Sequence, residues 1–117
     1  MAVVLESNLV FTRGTPLTIF EASAPQLPGY FSGHMDLTQL LDANDEINVE
    51  LQVKYSSGGT YRNAQKPTQP SKQADNIFEF TPVEHVYGYK LIGELLAASP
   101  SATATLEVLV LRSGAPI

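Results

Sequence analysis

The residues with chemical potential are few, and each points to a specific test. Two histidines occur, His34 and His85, with Asp36 and Glu84 close by in sequence. A zinc site needs ligands clustered at short, defined spacing, and nothing in the sequence brings these two segments together. Both histidines therefore read as surface or packing residues. The run Asp42-Ala43-Asn44-Asp45-Glu46-Ile47-Asn48 has the alternating oxygen ligands that open a calcium loop. That motif also needs glycine at its sixth position and glutamate at its twelfth. Ile47 and Val53 stand there, so the run reads as an acidic turn whose short side chains bond their own backbone.

Nucleophilic catalysis requires a base beside the nucleophile and a group that orients the base. No Gly-x-Ser-x-Gly elbow is present. Ser56 and Ser57 precede Gly58-Gly59 and read as turn residues. Gly58-Gly59 is followed by Thr60-Tyr61 rather than by a lysine and a helix, so it is no phosphate cradle. Glu50, Glu79 and Glu107 fall on strand positions expected to face solvent, and paired-carboxylate chemistry is not required to explain them. Tyr87 and Tyr89 have the spacing of a platform for a sugar ring, but the same alternation describes one buried face of a strand. The core reading is preferred. No enzymatic activity, cofactor or metal is expected.

Composition narrows the partners. The chain has 117 residues and a formal net charge of −5, with seven Lys and Arg against twelve Asp and Glu. Binding to nucleic acid gains affinity by setting basic residues against phosphates, so neither nucleic acid nor an anionic membrane is an expected partner. There is no cysteine, which excludes disulfides and thiolate chemistry. Met1-Ala2-Val3-Val4-Leu5 has no basic start and Glu6 ends its apolar run, so no secretory signal is read here. No window approaches the roughly 18 apolar residues of a membrane helix. Charged residues make up 16% of the chain, below the typical value of about 25%, which favours a surface shared with other protein.

The elements that must position these residues are strands. Val3–Thr12 reads as one strand or two short ones, Leu17–Ala22 as a second and Tyr30–Leu37 as a third. Asp36–Asp42 reads as a short helical turn or a tight connection. Ile47, Val49, Leu51, Val53 and Tyr55 alternate with Asn48, Glu50, Gln52 and Lys54, the period of a strand with one face buried. Ser56–Gly59 then makes a hairpin to Thr60–Gln65. Lys66–Gln73 is a polar loop with two prolines. Ile77–Thr81, Val86–Ile92 and Thr103–Arg112 complete the set, with Glu94–Pro100 as a connection. Strands at this spacing predict one all-β domain over residues 1–117, an antiparallel β-sandwich or jelly-roll-like barrel of about eight strands.

Asp36-Leu37-Thr38-Gln39-Leu40, followed by Asp45-Glu46-Ile47-Asn48-Val49-Glu50-Leu51, resembles a recurring pattern. In it, Asp-Leu-Ser/Thr-x-Leu leads through an acidic turn into a strongly alternating strand. The pattern occurs in small β-sandwich proteins on the shells of tailed phages and archaeal viruses. Tyr89-Lys90-Leu91 and the final strand Thr105–Arg112 are similar to the ending of those proteins. The resemblance covers about half the chain, and Asn44 stands where the pattern usually has glycine. It implies a capsid decoration, penton or turret role at the virion surface, with itself and other capsid proteins as partners. It transfers no functional residues.

Contact residues are expected at the loops, edges and termini. Leu106–Leu111 is apolar on both faces apart from Glu107, and a strand apolar on both sides must be covered on both. Leu109 and Leu111 are therefore contact candidates, together with the apolar Val3, Val4 and Leu5 and the terminal Ile117. The loop residues Lys66, Pro67, Pro70 and Lys72 combine restricted freedom with positive charge in an acidic protein. A homo-oligomer is expected. The competing reading is a carbohydrate- or receptor-binding sandwich module.

Overall fold

A computed structural model describes residues 2–23, 29–54, 58–63, 77–85 and 88–114. The chain order is β1 (Ala2–Thr12), β2 (Leu17–Ser23), β3 (Gly29–Asp36), a 3₁₀ turn (Leu37–Gln39), β4 (Ile47–Lys54), β5 (Arg62–Asn63), β6 (Ile77–His85), β7 (Gly88–Leu95) and β8 (Thr103–Gly114). Two four-stranded sheets result, ordered β1-β8-β3-β6 and β2-β7-β4-β5. All pairings are antiparallel.

This order has a simple origin. β1 pairs with β8, β2 with β7, β3 with β6 and β4 with β5, so the chain is a long folded ribbon whose tip is the β4–β5 hairpin. Successive ribbon segments go alternately to one sheet and the other. The wrap is then locked by the pairs β3–β8 and β4–β7. Eight strands so nested form a jelly roll, which is one way to limit exposed sheet edges. The all-β sandwich expected from strand spacing is the fold observed.

The core lies between the sheets. β4 alternates buried and half-buried residues along its whole length, with Ile47, Val49, Leu51 and Val53 inward. β8 supplies Leu106, Val108 and Val110, and β7 supplies Tyr89, Leu91 and Leu95. Phe31 joins the sheets through aromatic contact. Its ring lies 4.7 Å from Tyr89 and 5.3 Å, edge to face, from Phe20. At the opposite side of the core, Phe11 and Ile19 close over Gly93. A Cβ there would lie 2.7 Å from Phe11 Cε1 and 3.0 Å from Ile19 Cδ1, so close approach requires glycine.

Val3–Thr12 belongs to one strand, one of the two forms expected, bulged at Val4. Other boundaries differ from the sequence reading. Of the strand expected over Thr60–Gln65, β5 takes Arg62–Asn63, with residues 64–65 outside the described residues, and β7 runs through Leu95, where a connection is expected from the sequence. β6 extends to His85, past Pro82, because it is an edge strand with a register shift there; proline is tolerated at such positions.

One end of the sandwich is tied by a polar clasp. Asp45 is fully buried. Its carboxylate accepts from Ser101 N (3.1 Å), Ser101 Oγ (2.6 Å) and Asp42 N (3.0 Å). Ser99 Oγ accepts from Glu46 N and donates to Glu46 O, while Arg13 Nη1 donates to Ser99 O at 3.1 Å. Gly14, at φ 77°, sits in the β1–β2 turn closed by Thr15 N to Thr12 O, and its N–H reaches Leu95 O. Burial raises the Asp45 pKa, but hydrogen bonds from Ser101, Asp42 and Leu41 outweigh it, and the net position is below the ordinary 3.8.

Two outcomes are expected from this packing. Leu51→Ala should cost about 2–5 kcal/mol as a buried truncation, and Glu50→Ala or Gln52→Ala should stay within about 0.5 kcal/mol, both read by denaturant melts. Because the Asp45 pKa is lowered on folding, its contribution is complete above pH 3.8 and fades as pH falls below that value. Asp45→Asn should cost about 2–4 kcal/mol at neutral pH, from lost charge-assisted bonds, and should flatten the fall in melting temperature below pH 4.

Candidate assembly surface

The outer face of the β1-β8-β3-β6 sheet gathers most of the unusual side chains. Its rows follow from register. Glu6 lies opposite Leu109, which lies opposite His34, which lies opposite Glu79. One row along, Asn8 lies opposite Glu107, and Val10 lies opposite Thr105. At the other end Val3 lies opposite Leu111, which lies opposite Ser32. The inward residues of β8 are fully buried, whereas Leu109 and Leu111 on the outer face are only half-buried. The two-sided apolar character of β8 thus places leucines on a surface that this domain leaves partly open.

Among the described residues, His34, Asp36, Glu107 and Leu109 line a hollow of about 300 Å³ on this face. His34 Nε2 is 3.6 Å from Glu79 Oε1, at the exposed rim. Asp36 is engaged locally: it accepts from Thr38 N at 3.0 Å and from the Thr38 hydroxyl, capping the 3₁₀ turn. Glu107 N donates to Gln39 Oε1 at 2.6 Å. β3 ends at Asp36, so the Gln39 side chain takes over the place of a strand partner for β8. Among the described residues no group of three or more His, Asp or Glu is arranged to hold a metal ion.

The expected contact residues divide accordingly. Val3 is 58% exposed and Val4 38%. Leu5 is half-buried and packs against the core. Lys66, Pro67, Pro70, Lys72 and Ile117 lie outside the described residues, as does Tyr87. Val10, 56% exposed on the same strand, was not singled out from the sequence. Its alternation with Phe11 and Leu9 was the available signal. His34 and Asp36 were read separately from Glu107, because nothing in the sequence announces that β3 and β8 are neighbours.

Tyr89 is a core residue. It is fully buried beside Phe20 and Phe31, and burial pushes its phenol pKa strongly upward. It therefore offers no ring to a ligand at the surface. The acidic turn at Asp42–Asn48 holds its own backbone: Asn44 N donates to Asp42 Oδ1 at 2.8 Å, and Asp45 is committed to the clasp.

On the second sheet's outer face, Tyr61 reaches back from the β5 edge. Its hydroxyl lies over Gly88, where a Cβ would approach it to 2.6 Å. Lys90 Nζ is 4.7 Å and Lys54 Nζ 5.7 Å from its ring centroid. Burial first, and then the Glu21 carboxylate, raise the Tyr61 pKa. This is a protonated phenol that staples β5 to the sheet, with cation–π support.

No protein-family model matches the chain, and no curated protein matches it either. Among the described residues, no helix is long and apolar enough to cross a membrane.

Tyr89→Phe gives a direct reading of the core assignment. The Tyr89 hydroxyl has no hydrogen-bond partner among the described residues, and removing an unpaired buried hydroxyl is close to neutral or stabilising. The variant should melt within about 1 kcal/mol of the parent or above it. A loss larger than that would mean the hydroxyl has a partner.

Proposed function

We propose that this chain is a non-enzymatic structural subunit of a virion shell, a capsid decoration, penton or turret component that assembles with itself and with other shell proteins. One observation carries the reading. Val3, Val4 and Val10 stand exposed on a single edge strand, beside the half-buried Leu109 and Leu111. Solvent-facing valines scattered singly need no explanation. Grouped along one strand with leucines on the neighbouring one, they favour a surface covered by protein. The resemblance of Asp36–Leu51 to phage and archaeal-virus shell proteins supplies the particle. The fold is compatible with that role without implying it, since jelly rolls serve many functions.

The test is the mass of the purified chain in solution across a concentration series, by light scattering. Assemblies larger than one chain are expected, and a stable monomer throughout would overturn the reading. Deleting Thr68–Ser71 tests the loop contribution separately. If the loop is a contact, the deletion variant should remain folded and assemble less; unchanged assembly assigns the contacts to the sheet surfaces.

A further inference from the structure

Among the described residues there are four sheet edges, and three carry features that discourage pairing. β5 spans two described residues, Arg62–Asn63. β2 is seven residues, interrupted by a register shift between Thr18 and Phe20. β6 has a shift opposite Phe31–Gly33 and contains Pro82, which has no N–H to give. Short strands, bulges, prolines and lysines are the usual protection of an edge. β1 differs. Its one bulge is at Val4, and Leu5–Thr12 then pairs with β8 without interruption. It contains neither proline nor lysine.

The direction of its free backbone groups can be read from two bonds. Arg13 N donates to Ala102 O, so position 13 faces β8. Glu107 N donates away from β1, to Gln39, so Asn8 and Glu107 form a pair that does not exchange hydrogen bonds. Antiparallel ladders alternate, and both bonds give the same parity. Leu9 and Phe11 bond β8, while the N–H and C=O groups of Glu6, Asn8 and Val10 and the N–H of Thr12 point out of the sheet; the Thr12 carbonyl accepts from Thr15 N in the β1–β2 turn. Among the described residues no strand pairs with these outward groups.

We infer that β1 is a homodimerisation edge, pairing antiparallel with β1 of a second copy across a two-fold axis at Leu9. An open row of alternating donors and acceptors is matched by another strand edge, and a second copy supplies the same row reversed. The register that uses the outward groups of Asn8 and Val10 in full sets Asn8 opposite the second copy's Val10 and Glu6 opposite its Thr12, whose N–H is the group left to bond there. Leu9 then faces Leu9. No like charges oppose one another in this register, which would be destabilising. It covers the exposed Val10, and on the core side it brings together the half-buried Leu9 side chains of the two copies. The result is one continuous eight-stranded sheet. The inference rests on the self-assembly reading above and specifies its first step.

The experiment exploits parity. Asn8→Pro and Val10→Pro each remove an outward N–H, which a strand edge tolerates. Both should keep the parent's circular dichroism and sediment as monomers where the parent sediments as a dimer. Val10→Lys should do the same by charging the edge. Leu9→Pro removes an N–H that bonds β8 and should instead lose folded structure. In this cysteine-free chain, Leu9→Cys should give a disulfide-linked dimer on oxidation. Non-bonded antiparallel partners lie about 4.5 Å apart at Cα, within the disulfide range of about 4.4–6.8 Å. If Val10→Pro and Val10→Lys dimerise as the parent does, edge pairing is wrong and self-assembly survives through another surface. A parent that stays monomeric at every concentration removes both.

Discussion

The buried carboxylate of Asp45 is the constraint on which the arrangement of the two sheets depends. It sits one turn before β4, which belongs to one sheet, and holds Ser101 just before β8, which belongs to the other. An ionised group without water is expensive unless its lone pairs are filled. Its acceptors are filled by backbone and hydroxyl donors from two connections 56 residues apart in sequence. Those donors are themselves satisfied only when both connections are in place. Ser99 with Glu46, and Arg13 with Ser99, extend the same tie to the β1–β2 turn. The strands leaving this end therefore start in a fixed relation, and the side chains of Ile47 and Leu106 enter the core from opposite sheets.

The stretch from Asp36 to Leu40 carries out the complementary task beside it. Asp36 caps the 3₁₀ turn, and Leu37 and Leu40 are both fully buried. Gln39 completes the β8 ladder where β3 has ended. Leu41, 72% exposed, marks where burial stops. Asp-Leu-Thr-x-Leu before an acidic turn is thus a structural unit with an identifiable role for each residue. It plugs the sandwich and redirects the chain from one sheet to the other. That physical account holds for this chain whatever its relatives, and it places the sequence resemblance in the architecture rather than in a ligand site.

What could be read from the sequence was the content of single strands. Strict alternation in Ile47–Val53 identified β4, its buried face and its solvated face, because a one-residue shift would expose every apolar side chain. The same logic kept Tyr89 in the core. Pairings between distant strands were not legible: β1 with β8, and β3 with β8, depend on how the ribbon wraps, and no local pattern encodes that. The hollow between His34, Asp36 and Glu107 was hidden for this reason. Among the described residues of Thr60–Gln65, Arg62 and Asn63 find ladder positions opposite Val53 and Gln52, while Thr60 and Tyr61 stand outside the ladder. β7 runs past the expected end at Ile92 to Leu95, and Gly93 within that extension is the site where Phe11 and Ile19 pack against the backbone.

The difference between β1 and the other edges also bears on how such a domain avoids uncontrolled association. A jelly roll shortens its edges without abolishing them, as full barrel closure would. Here, among the described residues, the β5 edge spans two residues and is stapled by Tyr61, and β2 and β6 are interrupted. Each of these features restricts pairing while leaving the core intact. Specific assembly needs the converse at one place: a regular, apolar-flanked strand with its bonding groups facing outward. If all four edges were open, heterologous pairing would extend without limit. With one, pairing through a two-fold axis closes after two copies. Protection of three edges is therefore the condition that makes an open fourth compatible with finite association.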